Sequence, residues 1–373
     1  MIRYWDYRKE YGNDRERILE IVDRVFLSGR LILGPSVSDF ESHFAAYCGS
    51  RFGVGVNSGT DALFLALKAL GIGAGDEVIT VANTAVPTVA AIRAAGATPV
   101  FVDVEEDTFL MDARQLEAVV TERTGCVLPV HLFGQCADMD AILKLAQDRS
   151  IPVLEDCAQA AGALYKGRKA GSMGTIGAFS FYPTKVLGAF GDGGMLVTGQ
   201  EEHYAKLRRL RFYGMDTAYY SEEEGFNSRL DEVQAAILDF KLKKLDEDVR
   251  KRSRIAMRYA EGLAGVGDIT LPVVRPDRTH QFYIYTVRMK NREGLQQYLM
   301  EQGIETKINY PVPIHLMQGY SFLGYGAGDL PKTEELARTI LSLPLYPGLV
   351  MEEVEQVIAG VKDYFDAPRR GRR

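Results

Sequence analysis

Short apolar runs alternate with amphipathic stretches through the first two thirds of the chain. Seven runs are rich in β-branched or aromatic residues and read as buried strands: FGVGV, DEVITV, TPVFVDV, CVLPVHL, IPVLED, AFSFY and GMLVT. Between them lie helical patterns in TDALFLALKALG, which Gly71 is predicted to end, in VPTVAAIRAAG, which Gly96 is predicted to end, and in DMDAILKLAQDRS. This alternation predicts an α/β fold whose mostly parallel, seven-stranded sheet carries helices on both faces.

The pattern changes near residue 227. Residues 227–263 read NSRLDEVQAAILDFKLKKLDEDVRKRSRIAMRYAEGL and predict one long, charged helix. Beyond it, QFYIYTVRM predicts a strand, and EGLQQYLMEQG, TEELARTILSL and MEEVEQVIAGVKDYF predict helices. We therefore predict an N-terminal segment (1–34), a large α/β domain (35–245), and a long-helix connection with a small C-terminal α+β domain (246–373).

Composition and charge narrow the class of protein. The 373 residues are 46% hydrophobic and 25% charged, which is ordinary globular usage, and a net charge of −6 argues against a nucleic-acid partner. No apolar run approaches the roughly 20 residues that span a bilayer, so we expect no membrane contact and a cytoplasmic location. Four widely spaced cysteines predict reduced thiols and no metal site: Cys48, Cys126, Cys136 and Cys157.

One lysine stands alone in GSMGTIGAFSFYPTKVLGAFGDGG, because Lys185 is the only charged residue from Gly171 to Gly191. Poor hydration disfavours the ammonium form and leaves an amine that can attack a carbonyl group. The strand IPVLED ends in Glu155 and Asp156, and the carboxyl ends of parallel strands line one crevice. A lysine and an aspartate in such a crevice are typical of enzymes that use pyridoxal 5′-phosphate (PLP), whose ring nitrogen pairs with the aspartate.

A phosphate-binding turn is predicted in GVGVNSGTDALFLALKAL. The turn Ser58-Gly59-Thr60 leads into a helix, whose first N–H groups and dipole favour an anion. Ser180, near the lysine, would add a hydroxyl. The alternative is that Ser58 or Thr60 only caps the helix.

Six segments together carry a resemblance to a known family: NSGTDAL, EDCAQAAGA, FSFYPTKVLG, GDGGMLVT, NSRLDEVQAAIL and YPVPIHLMQGY. In order and spacing, over about residues 3–365, the chain resembles the DegT/StrS family of PLP-dependent nucleotide-sugar aminotransferases. The resemblance implies the aspartate-aminotransferase fold (fold type I) and a homodimer whose active sites are shared across the interface. It also implies that L-glutamate donates the amino group, and that PLP passes through its amine form, PMP.

The same resemblance assigns roles to individual residues. Lys185 would bond to the cofactor, Asp156 would partner its ring nitrogen, and Gln159 would hydrogen-bond its phenolic oxygen. Its phosphate would be held by Gly59, Thr60 and Ser180, and by Asn227 of the neighbouring subunit. Where many relatives have an aromatic side chain that stacks on the cofactor ring, this chain has Ala85.

Five further residues have roles that the sequence leaves open. Tyr182, Tyr310 and His315 are candidates for substrate contacts, with packing as the alternative. His131 follows the apolar run VLPV and is either a strand-end histidine with its hydrogen bonds satisfied or a ligand contact. Glu155 either takes part in the site or orients its neighbours.

The substrate follows from the finer resemblance. FYPTKVLGAFGDGGM, RFYGM, the pair Tyr219-Tyr220 and NSRLDEVQAAIL most resemble the branch that aminates carbon 3 of dTDP-linked 3-keto-6-deoxyhexoses. Lys185 separates this chain from dehydrating relatives, which have a histidine in its place. Two alternatives remain: a carbon-4 aminotransferase of a UDP- or dTDP-4-keto-sugar, and a regulatory protein that binds PLP without turnover.

Overall fold

The computed structural model describes residues 1–216 and 219–366. Its strands, in chain order, are β1 (Phe52–Val56), β2 (Glu77–Val81), β3 (Thr98–Val102), β4 (Thr124–Val127), β5 (Leu154–Asp156), β6 (Leu164–Tyr165), β7 (Arg168–Lys169), β8 (Ile176–Ser180), β9 (Gly194–Thr198), β10 (Tyr285–Arg288) and β11 (Ile340–Leu343). All seven of the runs predicted as strands contribute to one central sheet.

The central sheet has the order β1-β9-β8-β5-β4-β2-β3. Parallel bridges from Val127 to Val153 and from Val130 to Asp156 join its two halves. Only β9 runs antiparallel to its neighbours, so the other strands share one direction. The predicted α/β class is confirmed, and the carboxyl ends of β5 and β8 lie side by side.

Helices cover the sheet and build the C-terminal part: α1 (Tyr7–Leu27), α2 (Pro35–Cys48), α3 (Gly59–Ala69), α4 (Val86–Ala95), α5 (Leu116–Val119), α6 (Met139–Arg149), α7 (Glu201–Leu210), α8 (Glu232–Leu242), α9 (Leu245–Leu263), α10 (Arg292–Glu301), α11 (Pro331–Thr339) and α12 (Met351–Asp366). Helix α4 ends at Gly96, whose φ of 96° is in the left-handed region that glycine tolerates. Within residues 1–216 and 219–366, no helix has both the length and the apolar character needed to cross a membrane.

The prediction of one long helix over 227–263 is wrong, because α8 and α9 are separate helices that meet at Lys243 and Lys244. The two helices bury different faces against different neighbours. Ile237 of α8 packs against α1, whereas Ile255 and Tyr259 of α9 belong to a second core. Helix α8 packs against α1 and α2, whereas α9 packs against α12, so tertiary packing overrides the continuous helical pattern.

The segment TEELARTILSL is also not wholly helical. Helix α11 ends at Thr339, and the next four residues form β11, which pairs antiparallel with β10. All four residues of β11 are buried. Here tertiary pairing overrides a pattern that is compatible with a helix.

Two hydrophobic clusters form the main cores. The larger surrounds the central sheet, and the second packs α9 and α12 against β10 and β11, with Tyr259, Val287 and Val357 at its centre. Ile2 joins this second cluster, although it lies at the other end of the chain. The boundaries at residues 34 and 245 stay a prediction.

Candidate active site

Lys185 lies in a turn that follows β8. Its backbone N–H donates a hydrogen bond to the carbonyl of Tyr182, at 2.8 Å. Its Nζ lies 4.6 Å from the centre of the Tyr283 ring, and it forms no ion pair with any described residue. The structure therefore presents the half-buried amine against an aromatic face rather than a carboxylate.

Asp156 ends β5 and is only 3% exposed. Its Oδ2 accepts a hydrogen bond from Thr88 Oγ1 at 2.8 Å, and its Oδ1 accepts one from the N–H of Ala158 at 3.1 Å. Burial raises the pKa of Asp156, while these two hydrogen bonds and the positive charge of Lys185 act in the opposite direction. The structure thus brings together the lysine and aspartate that the sequence singled out.

Gln159 and Tyr310 extend this crevice. Gln159 is buried, and its Oε1 accepts a hydrogen bond from the N–H of Phe133 at 2.7 Å. Its Nε2 donates to the hydroxyl of Tyr310 at 3.2 Å. Burial raises the pKa of Tyr310, so its hydroxyl stays protonated at neutral pH. Of the three candidate substrate residues, Tyr310 is the one whose side chain is hydrogen-bonded to a crevice residue in the described part of the chain.

The start of α3 meets the end of β8. Ser58 caps α3, because its Oγ accepts a hydrogen bond from the N–H of Asp61 at 3.1 Å. The N–H groups of Gly59 and Thr60 belong to the first turn, which lacks intrahelical acceptors. A Cβ on Gly59 would lie 2.5 Å from the Cβ of Ser180, so glycine permits this close approach. The Ser58 cap therefore leaves the predicted phosphate-binding role of this turn open, and Gly59 lies beside Ser180.

The side chains of three other predicted residues form no hydrogen bond with these crevice residues within residues 1–216 and 219–366. Tyr182 is 53% exposed, and His315 is fully buried in a separate cluster, where its Nε2 lies 3.3 Å from Glu334. Asn227 is exposed, and only its backbone forms a bridge, to Phe212. An asparagine ahead of a helical pattern can also cap that helix, but Asn227 does not, because α8 begins at Glu232 with Asp231 before it.

Glu155 points to the face of β5 opposite to that of Asp156, and the hydrogen-bond acceptor positions of its carboxylate are all used. Its carboxylate accepts hydrogen bonds from His131 Nε2 at 2.9 Å and from the N–H groups of Gly171, Met173 and Gly174. His131 Nδ1 accepts from a backbone N–H, so its proton is on Nε2. Burial raises the pKa of Glu155, but these hydrogen bonds outweigh it and hold the pKa below its usual value.

His131, Glu155 and Cys157 place potential metal-ligand atoms within 4.8 Å of one another. Because Glu155 already accepts four hydrogen bonds, we interpret this cluster as one that stabilises the fold rather than as a metal site. Among the open roles, His131 is a strand-end histidine with its hydrogen bonds satisfied, and Glu155 orients its neighbours.

Two residues of the crevice were missed from the sequence. Thr88 holds Asp156, and Tyr283 lies beneath the lysine. A polar residue among the apolar positions of VPTVAAIRAAG was a usable signal for Thr88. No such signal marks Tyr283 in the sequence, because an aromatic residue within QFYIYTVRM is equally typical of a core strand.

Comparisons with known proteins identify the family of the chain. The profile of the DegT/DnrJ/EryC1/StrS aminotransferase family matches residues 13–362. The chain belongs to this family. The predicted family and the predicted enzyme class, an aminotransferase, are confirmed.

Individual relatives cover almost the whole chain. The dTDP-3-amino-3,4,6-trideoxy-alpha-D-glucose transaminase of Micromonospora megalomicea subsp. nigra is 50% identical over 96% of this chain and 99% of its own. A pleiotropic regulatory protein of Geobacillus stearothermophilus is 44% identical over 96% and 97%. The crystal structure of S. venezuelae DesV in complex with a ketimine intermediate superposes with a TM-score of 0.95 at 45% identity, covering 97% of this chain and 98% of that one. The predicted fold type I architecture is confirmed.

Proposed function

We propose that the protein transfers an amino group from L-glutamate to carbon 3 of a dTDP-linked 3-keto-6-deoxyhexose, giving the dTDP-3-amino-3,6-dideoxyhexose and 2-oxoglutarate. The observation that carries this proposal is the buried Asp156 beside the unpaired Lys185, where β5 and β8 end. Relatives support the choice of sugar, since three that are 43–50% identical are named as transaminases of dTDP-3-amino sugars.

The cofactor is PLP, and the residues of the crevice fit it. Asp156 keeps acceptor capacity for a ring N–H, Gln159 offers its amide, and the start of α3 with Ser180 offers donors to a phosphate. Related solved structures contain PLP or PMP. When bound, PLP carries the amino group between the two half-reactions and serves as an electron sink.

The side chains supply positioning and proton transfer. We assign to Lys185 Nζ the movement of a proton at the α-carbon of glutamate and, in the second half-reaction, at carbon 3 of the sugar. With PLP bound, the carboxylate of Asp156 would hold the proton on the ring nitrogen, because a nearby opposite charge favours the protonated form. Thr88 orients that carboxylate.

The proposal is tested with the PLP-loaded protein. Adding L-glutamate should bleach the yellow cofactor absorbance, and an unbleached spectrum would favour the regulatory alternative. That alternative is not favoured, because Lys185 and Asp156 are both in place. A panel of dTDP- and UDP-keto-sugars, with and without a 4-hydroxyl, then identifies the aminated carbon by NMR of the product. Amination at carbon 4 would overturn the carbon-3 assignment.

We also propose that the protein works as a cytoplasmic homodimer in which Asn227 reaches the phosphate of the partner subunit's cofactor. In support, Asn227 is exposed and follows a segment with exposed Tyr219 and Tyr220. The cytoplasmic location agrees with four buried, unpaired cysteine thiols.

A heterodimer tests the shared site. One chain carries Lys185→Ala, and the other carries a substitution of Asn227 that impairs phosphate binding. If Asn227 serves the partner, one site inherits both lesions and the other none, so activity returns to half of wild type. Differently tagged heterodimers that assemble but stay as inactive as their parents would show that Asn227 acts within its own chain.

A further inference from the structure

A second cavity, of about 200 Å³, lies beside the lysine turn. Four parts of the chain form its walls: the N-terminal residues 5–14, helices α8 and α9, the turn after β8 that contains Lys185, and residues 346–348. Neither Asp156 nor Gln159 lines it, but Lys185 borders both this cavity and the cofactor crevice. Lys185 and Arg252 both line it.

Arg252 is fully buried and only partly bonded. Its Nη1 donates to the carbonyls of Phe282, Tyr283 and Leu345, at 3.2, 3.3 and 3.4 Å. Its Nε and Nη2 have no hydrogen-bond partner among residues 1–216 and 219–366. Burial lowers the pKa of Arg252 to about 10, which leaves the guanidinium charged at neutral pH.

Trp5 adds a third unused donor. The Arg252 guanidinium lies 5.0 Å from the Trp5 ring, and Trp5 Nε1 also lacks a partner in the described part of the chain. Leaving buried donors unsatisfied is costly, and a planar guanidinium is suited to binding a carboxylate with two parallel hydrogen bonds. Three unpaired N–H groups, two from Arg252 of α9 and one from Trp5 before α1, therefore belong to residues that line the cavity.

The charges around the cavity point the same way. Each carboxylate that lines it has a cationic partner: Asp6 pairs with Arg8, Glu10 with Lys241, Asp14 with Lys244, and Glu247 and Asp248 with Lys251. Of the lining cations, Lys185 and Arg252 are the two without an ion pair among the residues described. Five carboxylates and five cations line the cavity, so their formal charges balance. Because Lys185 bonds to the cofactor in the PLP-loaded protein, Arg252 is the lining cation left without a carboxylate partner among the described residues.

We propose that this cavity binds a small carboxylate through Nε and Nη2 of Arg252 and Nε1 of Trp5. Two sources share this chemistry: the amino donor with its keto acid, and carboxylates that take no part in the reaction. The site goes beyond the proposed function, because it predicts binding by the resting enzyme whether or not the sugar assignment is correct.

Trp5 is the single tryptophan, so its fluorescence reports directly on the cavity. The PLP-loaded enzyme is titrated separately with 2-oxoglutarate, succinate and sulfate. We expect a saturable fluorescence change with carboxylate. In Arg252→Gln the dissociation constant should rise at least about tenfold, through loss of charge-assisted hydrogen bonds. Arg254→Gln, an exposed arginine of the same helix, should leave the dissociation constant unchanged.

The outcomes separate the sources. A response to 2-oxoglutarate alone assigns the site to the donor pair, and an equal response to succinate assigns it to carboxylates in general. Saturation by sulfate alone, no saturation, or unchanged binding in Arg252→Gln would overturn the proposal. If Arg252→Gln does not fold, calorimetry on Trp5→Phe replaces it, because that variant keeps one aromatic ring and loses the indole N–H together with the pyrrole ring. Carboxylate binding that is not weakened in Trp5→Phe would also overturn the proposal. The bleaching of the cofactor absorbance by glutamate tests the transaminase activity independently of this site.

Discussion

Glu155 and Asp156 are consecutive residues at the end of one strand, and both are buried, yet their surroundings differ. Successive side chains of a strand point to opposite faces. Glu155 accepts four hydrogen bonds, whereas Asp156 accepts two and lies near an unpaired lysine. The pKa of Glu155 is lowered, and that of Asp156 is raised by burial.

This difference separates a structural carboxylate from a functional one. A carboxylate has about four acceptor positions, so Glu155 is saturated and can hold nothing more. Asp156 keeps free acceptor capacity that a ligand N–H can use. Both residues are buried, so burial does not distinguish them. They differ in the number of hydrogen-bond donors that the fold supplies to each carboxylate.

The largest fall in turnover is expected when Lys185, the lysine near Asp156, is replaced. Lys185→Ala should lower turnover by about 10³-fold or more, because the proton-transfer group is lost, while the protein still binds PMP. The matched control is Lys169→Ala, since Lys169 is a half-buried lysine over the ring of Tyr47, 3.1 Å from its centre. Steady-state kinetics should show near-native turnover for that control; near-native turnover of Lys185→Ala would remove the assignment.

Asp156→Asn keeps the shape of the side chain but removes its charge. We expect about 100-fold slower turnover, with a smaller loss of cofactor affinity, because the ring nitrogen is no longer held protonated. Turnover and PLP titration by absorbance check both. Unchanged kinetics would show that another group holds that nitrogen.

Glu155→Gln should have the opposite signature. An amide would point its NH₂ group at backbone N–H donors, so we expect the free energy of unfolding to fall by about 3 kcal/mol at pH 7, with turnover per folded site unchanged. The ionised carboxylate stabilises the wild type above pH 4.5, and this contribution is lost as pH falls through the lowered pKa. The difference between the two proteins in denaturant melts should therefore shrink in acid. A fall in turnover as large as that of Asp156→Asn would contradict the comparison.

Thr88→Val should have the smallest effect, about tenfold on turnover, because one hydrogen bond to a charged group is lost. That bond lowers the pKa of Asp156, so its loss should raise the pKa and move the acidic limb of the pH–rate profile to higher pH. Thr88→Ser keeps the hydroxyl and should restore both rate and profile. A purely structural role for Thr88 would lower stability without moving the profile.

The crevice was predictable as far as it depends on strand order. Asp156 and Lys185 follow neighbouring strands, so their meeting at one edge was expected from alternation and parallel pairing alone. Thr88 was not, because its contact with Asp156 joins residues 68 positions apart through the packing of α4. His315 looked equivalent to Tyr310 in one loop, but the structure packs it against Glu334.

The sequence by itself determined the seven strands, the glycine at the end of α4, and the start of α3 after Ser58, because these depend on local periodicity and backbone preference. Tertiary structure alone decided the break between α8 and α9, the pairing of β11, and which of Glu155 and Asp156 stays open to a ligand. It also brought Trp5 onto Arg252. Such contacts depend on which buried faces meet, and local patterns carry no information about a partner that is distant in the chain.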